Sequence, residues 1–167
     1  MSNRLRNEYL EELAAIPLLS GLWRRDLEAV ARVADVVDVD AGTVILQQGT
    51  YGHHLFVVAT GSATLVEDGR PAAMLGPGDT FGEAAVFTGA PHQVSVMAAT
   101  RARLLILGRS ELLPLLRAVP ALAEKLLRVL ARQAGREGPV ADDAPVGIVE
   151  VDDDPGAAPE PRRSLRA

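Results

Sequence analysis

The stretch from Phe81 to Val96 holds the residues whose types and spacing could do chemistry. Its pattern predicts an extended approach, a short helix that opens at Gly82, a Gly/Pro turn and then a strand. The first turn of a helix presents backbone N–H groups and the positive end of the helix dipole, which together attract an anion. Glu83, the only carboxylate of the stretch, could accept hydrogen bonds from hydroxyl groups. The stretch therefore predicts a site for a ligand that carries both an anionic group and hydroxyls.

The net charge of the chain is placed mainly near its C-terminus. The chain has 167 residues and a formal charge of −5, and residues 138–167 contain seven acidic side chains and three arginines. The remainder is nearly neutral, so the sequence predicts no basic surface of the kind that nucleic-acid-binding proteins use. The chain has no cysteine, which excludes disulfides, thiolate metal ligands and cysteine nucleophiles.

The sequence contains no segment that reads as a membrane anchor or a leader. No apolar run approaches the roughly 18 residues of a membrane span. Acidic residues, and not an apolar region, follow Arg4 and Arg6. We therefore expect a cytoplasmic protein.

Helices are predicted on both sides of a β-rich region. Leu5, Tyr9 and Leu13 recur at helical spacing in the first helix, and Leu126 and Val129 belong to a wide apolar face of the last one. A face of that width suits packing on the domain or pairing with a second copy through residues 120–134. The predicted helices cover residues 3–15, Arg24–Ala34, a short segment that begins at Ser110, and Pro120–Ala134.

The central part of the chain alternates apolar and polar residues in short runs that glycine-containing turns separate. Asp68-Gly69 between two such runs is a strong hairpin signal. Many short strands with turns every eight to twelve residues are typical of a β-sandwich or a rolled barrel. The predicted strands are a run that begins at Asp35, then Thr43–Gln47, Leu55–Ala59, Ala63–Glu67, Arg70–Leu75, Val94–Ala98 and Arg103–Leu107.

The chain divides into a domain over residues 1–137 and an acidic tail over residues 138–167. The tail is rich in Pro, Ala, Gly and Asp and is expected to be disordered. Ile148, Val149 and Val151 could form a brief strand against another surface.

An ordered series of motifs runs through the predicted domain. The series resembles cyclic nucleotide-binding domains of the cyclic AMP receptor protein and kinase regulatory subunit type, over about residues 13–134. The segment Phe81–Val96 resembles the phosphate-binding cassette of that family. The matching residues are Asp40-Ala41-Gly42, Gly49, Gly52, Leu55-Phe56-Val57-Val58, Gly61-Ser62, Leu75–Glu83, Thr88-Gly89-Ala90-Pro91 and Ser95-Val96.

The resemblance implies an eight-stranded β-roll (a double-stranded β-helix, or jelly roll) with N-terminal helices and a C-terminal two-helix lid. It implies a non-catalytic regulatory module that needs no cofactor and no metal, and whose ligand is cAMP or cGMP. It further implies that the phosphate and the ribose bind a cassette formed by Phe81, Gly82, Glu83, Ala84, Ala85, Pro91, His92, Gln93 and Ser95.

Two cassette positions depart from the family pattern. His92 stands where the family has arginine, and Gln93 stands where the family usually has a small residue. Arginine carries a permanent charge and a two-pronged donor that fits phosphate oxygens, whereas histidine is mostly neutral at pH 7. The loss of one charged hydrogen bond costs about 1.5–3 kcal/mol, or one to two decades of affinity.

These departures leave two functions open. One is a cyclic nucleotide sensor, whose C-terminal helices relay binding to an effector protein. The other is a degenerate domain that no longer binds nucleotide and acts as a protein-interaction module. DNA binding by this chain is not expected, because the segment that follows Ala134 has only 33 residues and is acidic and Pro-rich. The pair His53-His54 is not expected to bind metal, since adjacent strand residues point to opposite faces.

Overall fold

The computed structural model describes residues 3–136, and two antiparallel sheets of four strands form its centre. The strand orders are β1-β8-β3-β6 and β2-β7-β4-β5. In chain order the elements are α1 (Asn3–Ala15), α2 (Arg24–Ala31), β1 (Ala34–Val39), β2 (Val44–Leu46), β3 (His54–Thr60), β4 (Ala63–Glu67), β5 (Arg70–Leu75), β6 (Thr80–Phe81), α3 (Glu83–Thr88), β7 (Ser95–Ala98), β8 (Ala102–Gly108), α4 (Arg109–Ala118) and α5 (Pro120–Arg136).

The first sheet is apolar on both faces because it separates two cores. Along β3, Leu55 and Val57 point to the helices, whereas Val58 points into the space between the sheets. Along β8, Leu105 joins the helical core and Leu104 joins the core between the sheets. Successive strand residues face opposite sides, so strand segments that are apolar throughout are what this middle layer requires.

The helices pack on the outer face of the first sheet. Leu13 of α1, Val30 of α2 and Leu122 of α5 are almost fully buried there. The second sheet has no helix over it among the described residues, and the side chains of Val44 and Met74 on its outer face are more than half exposed. Helices and roll therefore form one body, with the cassette at the junction of the two sheets.

The predicted roll with flanking helices is confirmed. Six strands lie within one residue of both predicted bounds, of which β4 and β5 match theirs, and β1 begins one residue before its predicted start. Asp68 and Gly69 have φ angles of 48° and 78°, as a type I′ hairpin turn between β4 and β5 requires. The two C-terminal helices are longer than predicted, because α4 continues through Pro114 to Ala118 and α5 reaches Arg136.

The predicted end of the second helix was wrong. The sequence predicted a helix as far as Ala34, but α2 ends at Ala31 and Ala34 pairs with Leu107 in the first sheet. The apolar side chain of Ala34 fits a helix face and a strand face equally well, so the strand partner decides its conformation.

The predicted tail lies outside the described residues. Within residues 3–136, no helix is long and apolar enough to cross a membrane.

Candidate functional site

The first half of the cassette is fixed by the pairing of β6 with β3. Phe81 lies opposite Phe56, and the two rings stack in parallel with centroids 4.9 Å apart. Gly82 follows with φ +84° and caps α3. A Cβ atom on Gly82 would lie 2.5 Å from the carbonyl oxygen of His54, so only glycine fits where the chain turns from strand to helix.

Glu83 is the first residue of α3, and its side chain is partly buried. Its Oε2 atom is shielded from solvent. Ala85 and Val86 are fully buried and hold the short helix against the roll, whereas Ala84 is exposed. The structure therefore brings the predicted residues from Phe81 to Ala85 into one strand-to-helix turn, with first-turn N–H groups that have no acceptor within the helix.

The second half of the cassette is held by the loop between β2 and β3. The N–H of His92 donates to the carbonyl oxygen of Thr50 (2.9 Å), and the N–H of Gly49 donates to the carbonyl oxygen of His92 (2.8 Å). The residue His92 is only 6% exposed, and its imidazole packs beside Gly52, where a Cβ atom would lie 2.3 Å from its Nε2. His92 is therefore a buried ring in contact with the β2–β3 loop.

The other predicted residues of this half differ in exposure. Gln93 is exposed, and its Nε2 donates to the carbonyl oxygen of Pro91 (3.3 Å). The hydroxyl oxygen of Ser95 accepts a hydrogen bond from the N–H of Gln48 (3.0 Å). Ser95 lies on the second sheet and Phe81 on the first, so the cassette spans the gap between the two sheets.

Three contacts at this site had no signal in the sequence. One is Gly52 beside His92, and another is Arg109, whose Nη1 would lie 3.6 Å from a Cβ atom on Gly89. Arg109 forms no ion pair with any described residue. The partners are 20 or more positions apart along the chain, and no local periodicity connects them.

The third contact joins the C-terminal helix to the strand that leads into the cassette. Oε1 of Gln133 accepts from both the N–H (3.1 Å) and the hydroxyl (2.9 Å) of Thr80, and its Nε2 donates to the carbonyl oxygen of Thr80 (2.7 Å). Thr80 is 1% exposed. Three hydrogen bonds at a buried position tie the last turns of α5 to the residue before Phe81.

Burial lowers the pKa of the His92 imidazole below its usual value of 6.5. The unfolded chain then binds this proton more readily than the folded chain, so His92 destabilises the fold as the pH falls through about 6.5 and has no such effect well above that value. We expect the urea midpoint of the wild type to fall more between about pH 7.5 and 5.5 than that of His92→Phe.

The exposed His53 provides a matched control for this pH dependence. His53→Gln should keep the wild-type dependence, because it leaves the buried ring in place. The same dependence in wild type and His92→Phe would contradict the assignment.

No group of three or more potential metal ligands occurs within the described residues. What the cassette offers is a helix N-terminus, a shielded carboxylate and a buried imidazole beside a glycine-rich loop. These groups can accept hydrogen bonds from hydroxyls and donate hydrogen bonds to an anion.

Comparisons with known proteins agree with this geometry. The profile of the cyclic nucleotide-binding domain family matches residues 36–118. The CRP-like cAMP-activated global transcriptional regulator of Mycobacterium tuberculosis is 29% identical over 131 residues, which are 75% of this chain and 58% of that protein. A cyclic nucleotide-gated potassium channel of Rhizobium etli is 32% identical over 123 residues, which are 74% of this chain and 34% of the channel.

A solved structure shares the fold and a similar degree of identity. The catabolite activator protein of Thermus thermophilus has a TM-score of 0.61 and 31% identity, and the match covers 71% of this chain and 58% of that chain. The chain thus spans less than two thirds of the length of each of these relatives. The profile match, the identity to these relatives and the shared β-roll lead to one conclusion: the chain belongs to the cyclic nucleotide-binding domain family.

Proposed function

We propose that this chain is a non-catalytic sensor module that binds a cyclic nucleotide, cAMP or cGMP, in the segment from Phe81 to Ser95. The observation that carries the proposal is the turn at Gly82, where a helix N-terminus and the shielded carboxylate of Glu83 lie side by side. An anion acceptor next to a hydroxyl acceptor suits a ligand that joins a phosphate to a sugar.

In this proposal each part of the cassette has a distinct role. The N–H groups of Ala84 and Ala85 donate to the cyclic phosphate, and the carboxylate of Glu83 accepts from the ribose hydroxyl. The imidazole of His92 supplies a neutral donor in the place of a charged one. Because a neutral donor contributes less than a guanidinium, we expect the affinity to be modest.

The relay runs from the cassette to α5. Gln133 holds Thr80, and Thr80 precedes Phe81 directly, so a shift of the cassette backbone must strain or break these hydrogen bonds. A ligand that binds one arrangement of this contact more tightly than the other changes the position of α5. The surface of α5 then carries the signal to an effector protein.

The test of the proposal is a calorimetric titration of the full chain with cAMP and with cGMP. Glu83→Gln should weaken binding about tenfold or more, because a neutral amide replaces the charged acceptor. Glu67→Gln, at an exposed position in the β4–β5 hairpin, should bind as the wild type does. Equal affinity of the wild type and Glu83→Gln would contradict the assigned role of Glu83.

A protein-interaction module that binds no nucleotide is the second candidate. It is favoured by the position of the His92 ring, which packs against Gly52 where the family has an arginine. Absence of saturable binding in both the wild type and His92→Arg, with the fold intact, would exclude the sensor.

A homodimer through residues 120–134 is also proposed. Leu127 on α5 is 67% exposed, whereas Leu126 and Val129 beside it are buried. An exposed leucine on a helix with a wide apolar face suits a second copy of the same helix. Leu127→Glu should shift sedimentation equilibrium toward the monomer, and Ala118→Glu, at an exposed position of α4, should not. A monomeric wild type at high concentration would refute the dimer.

A further inference from the structure

A cleft of about 580 Å³ lies between α5 and the turn that precedes β6. Its apolar lining includes Pro17 and Val129, and Pro77 and Gly78 form the side opposite α5. Gly78 fits closely there, because a Cβ atom on it would lie 2.9 Å from Cβ of Pro17. No residue of the cassette lines the cleft, but two of its lining residues, Asp79 and Arg132, directly precede the relay residues Thr80 and Gln133.

One wall of this cleft is basic. Lys125, Arg128 and Arg132 line it from α5, and the single acidic residue that lines it is Asp79. Arg128 pairs with Glu124, whereas Lys125 and Arg132 form no ion pair with any described residue. Residues 1–136 contain fourteen basic and fourteen acidic side chains. The cleft is therefore a local excess of positive charge on an otherwise balanced domain.

The chain that follows α5 has the opposite charge. Residues 137–160 contain eight acidic side chains and no lysine or arginine. The segment Ile148–Asp154 combines three apolar residues with four acidic ones, which matches a cleft with an apolar lining and a basic wall.

The intervening chain is long enough to reach the cleft. The eleven residues 137–147 can span up to about 36 Å. The helix rises only about 16 Å between Lys125 and its last residue, Arg136. A segment tethered this closely has an effective concentration in the millimolar range, so weak ionic contacts suffice to hold it.

We propose that Ile148–Asp154 docks into this cleft of its own chain. Asp152, Asp153 and Asp154 face Lys125 and Arg132, and the apolar residues of the segment cover Val129 and the proline side chains. The docked segment bridges α5 and the turn before β6, next to the hydrogen bonds between Gln133 and Thr80. It therefore restrains the two elements that the relay would have to separate.

The absence of cysteine makes a direct test possible. The variant Gly147→Cys of the full chain has a single thiol, to which a nitroxide is attached. The intensities of the backbone amide NMR signals are then compared between the oxidised and the reduced nitroxide. Amide signals of residues 78–79 and 125–132 should lose about half of their intensity or more. The loss should vanish at about 1 M salt, where the screening length is about 3 Å. It should also vanish in Lys125→Glu/Arg132→Glu.

Two further variants serve as the control and the rescue for this charge reversal. Arg70→Glu/Arg117→Glu alters two exposed arginines outside the cleft and should keep the intensity loss. Asp152→Lys/Asp154→Lys, added to Lys125→Glu/Arg132→Glu, should restore it by exchanging the charges.

Three results would overturn the proposal. One is an intensity loss spread evenly over the surface or centred elsewhere. Another is a loss that persists in Lys125→Glu/Arg132→Glu or at high salt. The third is an intensity loss that also appears in isotope-enriched chains without a nitroxide when they are mixed with nitroxide-labelled chains, because the segment of a second copy would then fill the cleft. The salt titration uses wild-type residues in the cleft, so it decides the question even if a charge variant fails to fold.

Discussion

Replacing His92 with arginine is expected to tighten cyclic nucleotide binding about ten- to a hundredfold. The backbone of residue 92 is held on both sides by hydrogen bonds to Gly49 and Thr50, so its side chain starts from a fixed place. Arginine there adds a permanent charge and a second donor for phosphate oxygens. Calorimetric titration with cAMP and cGMP measures the gain, and the thermal midpoint shows whether the variant is folded.

The pH dependence of affinity gives an independent check on the same residue. In the wild type, binding should tighten as the pH falls below about 6.5, because burial lowers the pKa of the imidazole and the ring gains a proton and a charge only in that range. His92→Arg should bind equally well across this range. His53→Arg, which adds the same charge at an exposed position, should leave the affinity near that of the wild type. If His92→Arg and His53→Arg change affinity to the same extent, His92 does not contact the ligand.

The second large effect is expected from Gly82→Ala, which should lower the free energy of unfolding by about 3 kcal/mol or more. The φ angle of +84° costs an alanine about 1–2 kcal/mol by itself. The added Cβ atom would also lie 2.5 Å from the backbone carbonyl oxygen of His54, and a backbone atom cannot move aside as a side chain can. Urea unfolding measures the loss.

Gly69→Ala separates the two contributions. Gly69 has a φ angle of +78°, but a Cβ atom there would meet nothing within 4 Å. This variant should lose only about 1–2 kcal/mol, the cost of the left-handed backbone. Equal losses at the two glycines would show that the contact between the cassette and β3 is not tight.

The architecture could be predicted from the sequence because the residues that determine each turn and strand are close together along the chain. Asp68-Gly69 sets a hairpin through the φ angles that its two residues adopt, and apolar runs such as Leu55–Ala59 set strands that are buried on both faces. The predicted end of α2 was wrong because the signal that sets it is not local. Ala34 suits either structure, and its conformation depends on a partner 73 positions away, Leu107.

The candidate site divides in the same way. Gly82 and Glu83 were predicted from the local pattern, and their strand-to-helix turn is confirmed. The burial of His92 against Gly52 and the contact between Gln133 and Thr80 depend on how loops and helices pack on the roll. No periodicity in the sequence encodes such contacts, so only the folded chain reveals them. Whether the assembled residues bind nucleotide stays a prediction.

The most direct test of the account is an NMR titration of the full chain with cAMP and cGMP, with 5′-AMP as the acyclic control. We expect saturable shifts at residues 82–85 and 92–95 and at Gln133, with a dissociation constant of about 100 μM or tighter. 5′-AMP should produce weaker shifts, because it lacks the cyclic phosphate. A well-dispersed spectrum that neither cyclic nucleotide changes would contradict the proposed sensor function.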